Sequence, residues 1–136
     1  MHSSEYYTEK ALAKLNLTFR VLDKLPSSMH NIESHIAFLP KIYDYLKVKK
    51  DYSNSLEIRG EFSKALLKAG GDTLMKRTIE NTESLFSTKI KLKIILYKNI
   101  PLDAGLGGGS ADAAALFRIL LKIYNLKIDK QSIIKF

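Results

Sequence analysis

The sequence predicts an α+β fold, a mixed sheet packed against helices, on three observations. Residues 15–21 alternate apolar and polar side chains without a break, and the alternation returns after a turn and again over residues 89–97. Two longer segments switch to helical spacing, so the elements run strands then helix, strand then helix. Four of the chain's seven glycines crowd the turn between the last strand and the helix after it.

In the first strand Leu15, Leu17, Phe19 and Val21 share one face while Asn16, Thr18 and Arg20 share the other, as a half-buried strand requires. Pro26, Ser27 and Ser28 break the pattern, and Ile32, Ser34, Ile36 and Phe38 resume it as far as Pro40, which makes a second strand after a turn. Ile42, Leu46 and Val48 stay in phase beyond it, although Asp44 interrupts their apolar face, and Leu56-Glu57-Ile58 reads as a short edge strand. After Gly70-Gly71 the residues Leu74, Met75, Thr78, Ile79, Thr82, Leu85 and Phe86 fall on one helical stripe. Asp72-Thr73 starts this helix of about four turns. Over residues 89–97, Ile90, Leu92, Ile94 and Leu96 point inward and the lysines outward. A loop then carries Pro101 and the four glycines. The alanine- and leucine-rich run 111–124 has no breaker and forms the next helix, and a third begins near Asp129. The core is expected where the strands around Leu15, Ile36 and Ile94 meet the helices carrying Ile79 and Leu116.

A chain of 136 residues buries roughly 68% of the surface its unfolded form exposes, enough for one core, so residues 1–136 read as one domain. At 46% hydrophobic, the composition lies far from that of disordered chains. The absence of cysteine excludes a disulfide framework, a thiolate zinc site and a Cys nucleophile. Glu5 and Glu9 among polar residues leave no secretory h-region at the N-terminus, and no run approaches the roughly 18 apolar residues of a bilayer span. The expectation is a soluble, cytoplasmic protein with no membrane partner. With 22 Lys+Arg against 14 Asp+Glu the net charge is +8, and the pI near 9.6 favours anions of every kind without choosing among them.

The run from Pro101 through Leu102, Asp103, Ala104, Gly105, Leu106, Gly107, Gly108 and Gly109 to Ser110 and Ala111 has the character of a phosphate cradle. Glycines there permit positive φ and close backbone approach to an anion, and the helix that follows adds unsatisfied N–H groups and the positive end of its dipole. The run fails two common nucleotide patterns. No Lys-Ser/Thr follows as in a Walker A loop, and Ser110 stands where the dinucleotide fingerprint has its third glycine.

Read after a strand, Pro-x-x-x-Gly-Leu-Gly-Gly-Gly-Ser-x-Asp-Ala-Ala resembles motif 2 of the GHMP small-molecule kinases. Its triple glycine and tail are most similar to the 4-diphosphocytidyl-2-C-methyl-D-erythritol kinase branch of that family. Ala13-Lys14-Leu15-Asn16-Leu17 resembles the family's N-terminal Ala-Lys-x-Asn-Leu strand, and His30 follows at the usual spacing. Phe38-Leu39 and Tyr43-Asp44 extend the likeness, which covers the chain from about Leu12 onward. The resemblance implies the ribosomal-protein-like fold of the GHMP N-terminal domain and ATP-dependent phosphorylation of the 2-hydroxyl of a cytidine-diphosphate substrate in non-mevalonate isoprenoid synthesis. It implies ATP with Mg²⁺ as cofactors, a catalytic Lys14 whose fixed cation stabilises developing negative charge, Asn16 and His30 on the substrate, and residues 101–111 on the nucleotide. His2 and His35 have no comparable role.

The chain departs from the family pattern in three places. Leu12 stands where the family often has Pro, and Ser28-Met29-His30 replaces Gly-Tyr-His, so a polarizable thioether takes the place of the ring that stacks on cytosine. The family's Gly-Ala-Asp-Val-Pro motif and second domain do not occur in residues 1–136, so the domain is expected to be incomplete at its C-terminus and inactive by itself. The alternatives are a non-catalytic ATP-binding remnant and a basic nucleic-acid-binding module. Asp103 and Asp112 beside the glycines and the lack of an RNP1-like segment disfavour nucleic acid. The sequence assigns no oligomeric state.

Overall fold

The computed structural model describes residues 5–135. Two long strands, β1 (Tyr7–Lys24) and β2 (His30–Lys50), form an antiparallel hairpin. They are followed by β3 (Ser55–Arg59), α1 (Ser63–Lys68), α2 (Thr73–Phe86), β4 (Leu92–Tyr97), α3 (Gly108–Ile123) and α4 (Lys130–Lys135). The strand order is β1-β2-β4-β3, with β2 and β4 antiparallel and β3 and β4 parallel, so the sheet is mixed as expected. β3 and β4 are parallel neighbours, and α1 and α2 between them supply the crossover connection that a parallel pair needs.

The expected break at Pro40 is absent, because β2 runs through it. Pro40, Lys41 and Ile42 form a bulge between the pairs Ala13↔Leu39 and Leu12↔Tyr43, and the imide nitrogen that cannot donate falls where the ladder is already interrupted. The six-residue α1 has no counterpart in the sequence reading, and α3 begins at Gly108, three residues before the alanine run.

Helices α2 and α3 cover one face of the sheet, with α3 over the inner half of the hairpin and α2 beside it. Leu46, Val48, Leu92, Ile94 and Leu96 from the strands meet Met75 of α2 and Ala115, Leu116, Ile119 and Leu120 of α3. Ala11 and Ala13 are small and buried where α3 crosses β1. Asp72 caps α2 by accepting from the Met75 N–H at 2.9 Å. Ile90, Leu92, Ile94 and Leu96 are all buried as the alternation requires, although the ladder itself starts at Leu92.

The outer half of the hairpin corrects two expectations. Leu15, Leu17, Phe19 and Val21 do not line a half-buried face, and Ile36 does not join the core. Leu17 is 62% exposed and Ile36 54%. Among the described residues the helices reach only as far along β1 as Ala13, so the alternation continues on an arm that they do not cover.

Candidate active site

The site grows from the glycine loop between β4 and α3. Asp103, Gly105 and Gly107 all take left-handed φ, near +54°, +69° and +67°, and Gly107 is the N-cap of α3. Only Gly105 has open space around it. A Cβ on Gly107 would lie 3.0 Å from Lys14 Cγ and 3.1 Å from its Cε, one on Gly108 would meet Lys98 Nζ at 3.0 Å, and one on Gly109 would meet Leu74 Cδ1 at 3.3 Å. The three consecutive glycines are thus closely approached by side chains of three different elements, β1, the segment after β4, and α2, that close on the loop from separate sides.

Lys14 is tied to this loop twice. Its backbone N–H donates to the Leu106 carbonyl at 2.9 Å, and its aliphatic stem lies along Gly107. The first intrahelical bond of α3 runs from the Ala111 N–H to the Gly107 carbonyl, so the amides of Gly108, Gly109 and Ser110 precede the ladder and are available to an anion. Beside them lies an open cavity of about 370 Å³, lined by residues 101–110, Lys98, Leu74, and Leu66 and Ala69 of the α1 region. The arrangement can hold a phosphate chain on backbone amides with a lysine cation at its edge.

Asn16 shares the strand face of Lys14, and its Oδ1 accepts from Ser34 Oγ at 3.3 Å across the hairpin. His30 is not brought to the loop. It pairs with Lys24 at the tip of the arm, ten residues along β1 from Lys14, which is roughly 30 Å of extended strand.

Sequence reasoning missed the buried ions beneath the loop. Lys98, 2% exposed, donates to Asp44 Oδ2 at 2.6 Å and to Asp112 Oδ2 at 2.7 Å. Asp44 Oδ1 also accepts from the Asn99 and Ile100 N–H groups at 2.5 and 2.7 Å, which fixes the turn leading into Pro101. Burial works against the Lys98 charge, but the bonds to Asp112 and Asp44 outweigh it and hold its pKa above the ordinary value. Burial, reinforced by the negative charge of Asp44, pushes Asp112 up to about 8 against the pull of Lys98. Burial also raises Asp72. The available signal was Asp44 interrupting an apolar face together with lone charges at 98 and 112 in otherwise apolar runs.

Comparison with known proteins agrees with this geometry. The family model described as GHMP kinases N terminal domain matches residues 73–136. That match and the fold liken the chain to the class of GHMP kinase N-terminal domains. Within that class its relatives are 4-diphosphocytidyl-2-C-methyl-D-erythritol kinases. The protein of that name from Erythrobacter litoralis is 38% identical over 122 residues, covering 90% of this chain and 42% of the relative. The one from Pseudothermotoga lettingae is 35% identical over 119 residues, covering 86% and 41%. A solved 4-(cytidine 5'-diphospho)-2C-methyl-D-erythritol kinase superposes with a TM-score of 0.69 at 26% identity, over 95% of this chain and 45% of that one. The Methanococcus jannaschii mevalonate kinase shares the fold with a TM-score of 0.66 at 12% identity, over 97% of this chain and 44% of that one. The chain spans about two fifths of the length of the curated relatives it matches.

Proposed function

We propose that this chain supplies the nucleotide-phosphate side of a small-molecule kinase that transfers the γ-phosphoryl group of ATP to the 2-hydroxyl of 4-diphosphocytidyl-2-C-methyl-D-erythritol. The observation that carries the reading is the seating of Lys14 on Gly107, which joins the two separate sequence motifs at one point. Amides at the start of α3 hold the phosphate chain, and residues 101–107 shape its rim. The Lys14 cation, fixed at the loop's edge, stabilises the negative charge that develops as the hydroxyl attacks. Asn16, on the same face, orients the substrate end next to the lysine.

The described residues contain no group of three His, Cys, Asp or Glu side chains placed to hold a metal ion. Mg²⁺ enters this reading as the companion of the nucleotide: it would be held chiefly by phosphate oxygens and water and would neutralise charge on the phosphates. No helix among the described residues is long and apolar enough to cross a membrane.

The test is phosphoryl transfer by the intact protein to the diphosphocytidyl substrate, compared with its Lys14→Ala variant. The expected loss is at least 10²-fold in kcat, with ATP affinity changed far less, because a fixed cation acts mainly in the transition state. Unchanged kcat in the variant would remove Lys14 from the chemistry.

A further inference from the structure

Beneath the glycine loop, β2, the turn after β4, and α3 each contribute one buried titratable side chain. The Asp44 and Asp112 side chains are fully buried, and Lys98 lies between them with its Nζ 3.0 Å from the position a Gly108 Cβ would take. Asp44 is fully engaged by Lys98 and two backbone amides. Asp112 is not. Its Oδ2 accepts from Lys98, but its Oδ1 is buried with no hydrogen-bond partner. As an ion it would leave a charged oxygen unpaired in the interior beside the like charge of Asp44, whereas as an acid its Oδ2 still accepts from Lys98 and its proton is held against the Asp44 carboxylate, whose charge and hydrogen bond both favour the protonated form.

We propose that Asp112 is a positioning residue that holds a proton while the glycine loop binds phosphate, so that anion affinity at the loop falls when Asp112 ionises. With Lys98 at +1 and Asp44 at −1, the cluster is neutral when Asp112 is protonated and carries −1 when it is not. It sits within the first turns of α3, below the amides that face the anion, so the extra charge opposes both the phosphates and the helix dipole. The other charged groups around the cluster are Asp72 at the start of α2, whose charge couples to Lys98 and Asp44, and Lys14 of β1 on Gly107. The burial that raises Asp112 to about 8 puts the change within reach of ordinary buffers.

The inference rests on the nucleotide reading of the loop, and calorimetric titration with ATP separates the two. In the intact protein, affinity is expected to weaken about fivefold between pH 7.5 and pH 9, a range in which the ATP phosphates stay fully ionised. Asp112→Asn keeps the acceptor for Lys98 and cannot ionise, so its affinity should change less than about twofold over the same range. Equal pH slopes in both proteins would overturn this inference and leave the nucleotide reading standing. Failure of both proteins to bind ATP at either pH would overturn the two together. The side-chain carboxyl carbon of Asp112, followed by NMR in the unaltered protein, gives a readout that does not depend on the variant folding. A midpoint near 8 is expected, and one near an ordinary aspartate value of about 4 would overturn the inference.

Discussion

Replacing Gly107 with alanine separates the backbone demand of the loop from its contact with Lys14. Gly105 and Gly107 have nearly the same φ, +69° and +67°, so alanine at either position meets the same left-handed penalty of about 1 kcal/mol. They differ in surroundings. A Cβ on Gly105 has nothing within 4 Å, whereas one on Gly107 lies 3.0 Å from Lys14 Cγ and must push the stem aside. A few tenths of an ångström relieves the clash at the stem, and the lever of the side chain carries a larger displacement to the ammonium. Misplacement of about 1 Å at a reacting centre costs on the order of 10²-fold in rate. Gly105→Ala and Gly107→Ala should therefore lose similar stability in denaturant melts. In a phosphoryl-transfer assay of the intact protein, Gly107→Ala should lose about 10²-fold in kcat and Gly105→Ala less than about tenfold. Equal kcat values for the two variants would refute the claim that Lys14 is held in place by Gly107.

Leu116, fully buried where α3 meets the sheet, should cost about 2–5 kcal/mol on Leu116→Ala, read from the shift in denaturation midpoint. Asp72→Ala removes the cap on the Met75 N–H and should cost about 1 kcal/mol in the same measurement. The pH dependence of stability follows from Asp112. Below about 4 the acid is protonated in both folded and unfolded chains. Between that value and about 8 the folded chain holds a proton that the unfolded chain has released, so stability falls as pH rises, and above about 8 the loss is constant. One proton corresponds to a slope of at most about 1.4 kcal/mol per pH unit, and Asp112→Asn should remove that contribution from the stability profile. Lys98, held charged by its partners, contributes stability through this whole window and loses it only above its ordinary alkaline range.

The inner strands were legible because their alternation coincides with real burial. Ile90, Leu92, Ile94 and Leu96 point where their spacing says they do. The same alternation over residues 15–21 misled, since period-two patterning states which residues share a face and not whether anything covers that face. Pro40 misled for a related reason. A proline ends a regular ladder, but a bulge in β2 gives it a place where no donor is needed. Helix α1 was missed because its six residues are too few to establish a period.

The sequence alone determined the glycine loop and its likeness to a phosphate-binding motif, because glycine clusters, helix starts and strand periods are local properties of the chain. It also determined that Lys14 and Asn16 share a strand face. Only the tertiary structure decided that Lys14 rests on Gly107 and that Asp44, Lys98 and Asp112 meet beneath the loop. Those residues are separated by 54 and 14 positions in the chain. Their charges are made interdependent by exclusion of water, a condition that exists only once the helices have closed over the sheet.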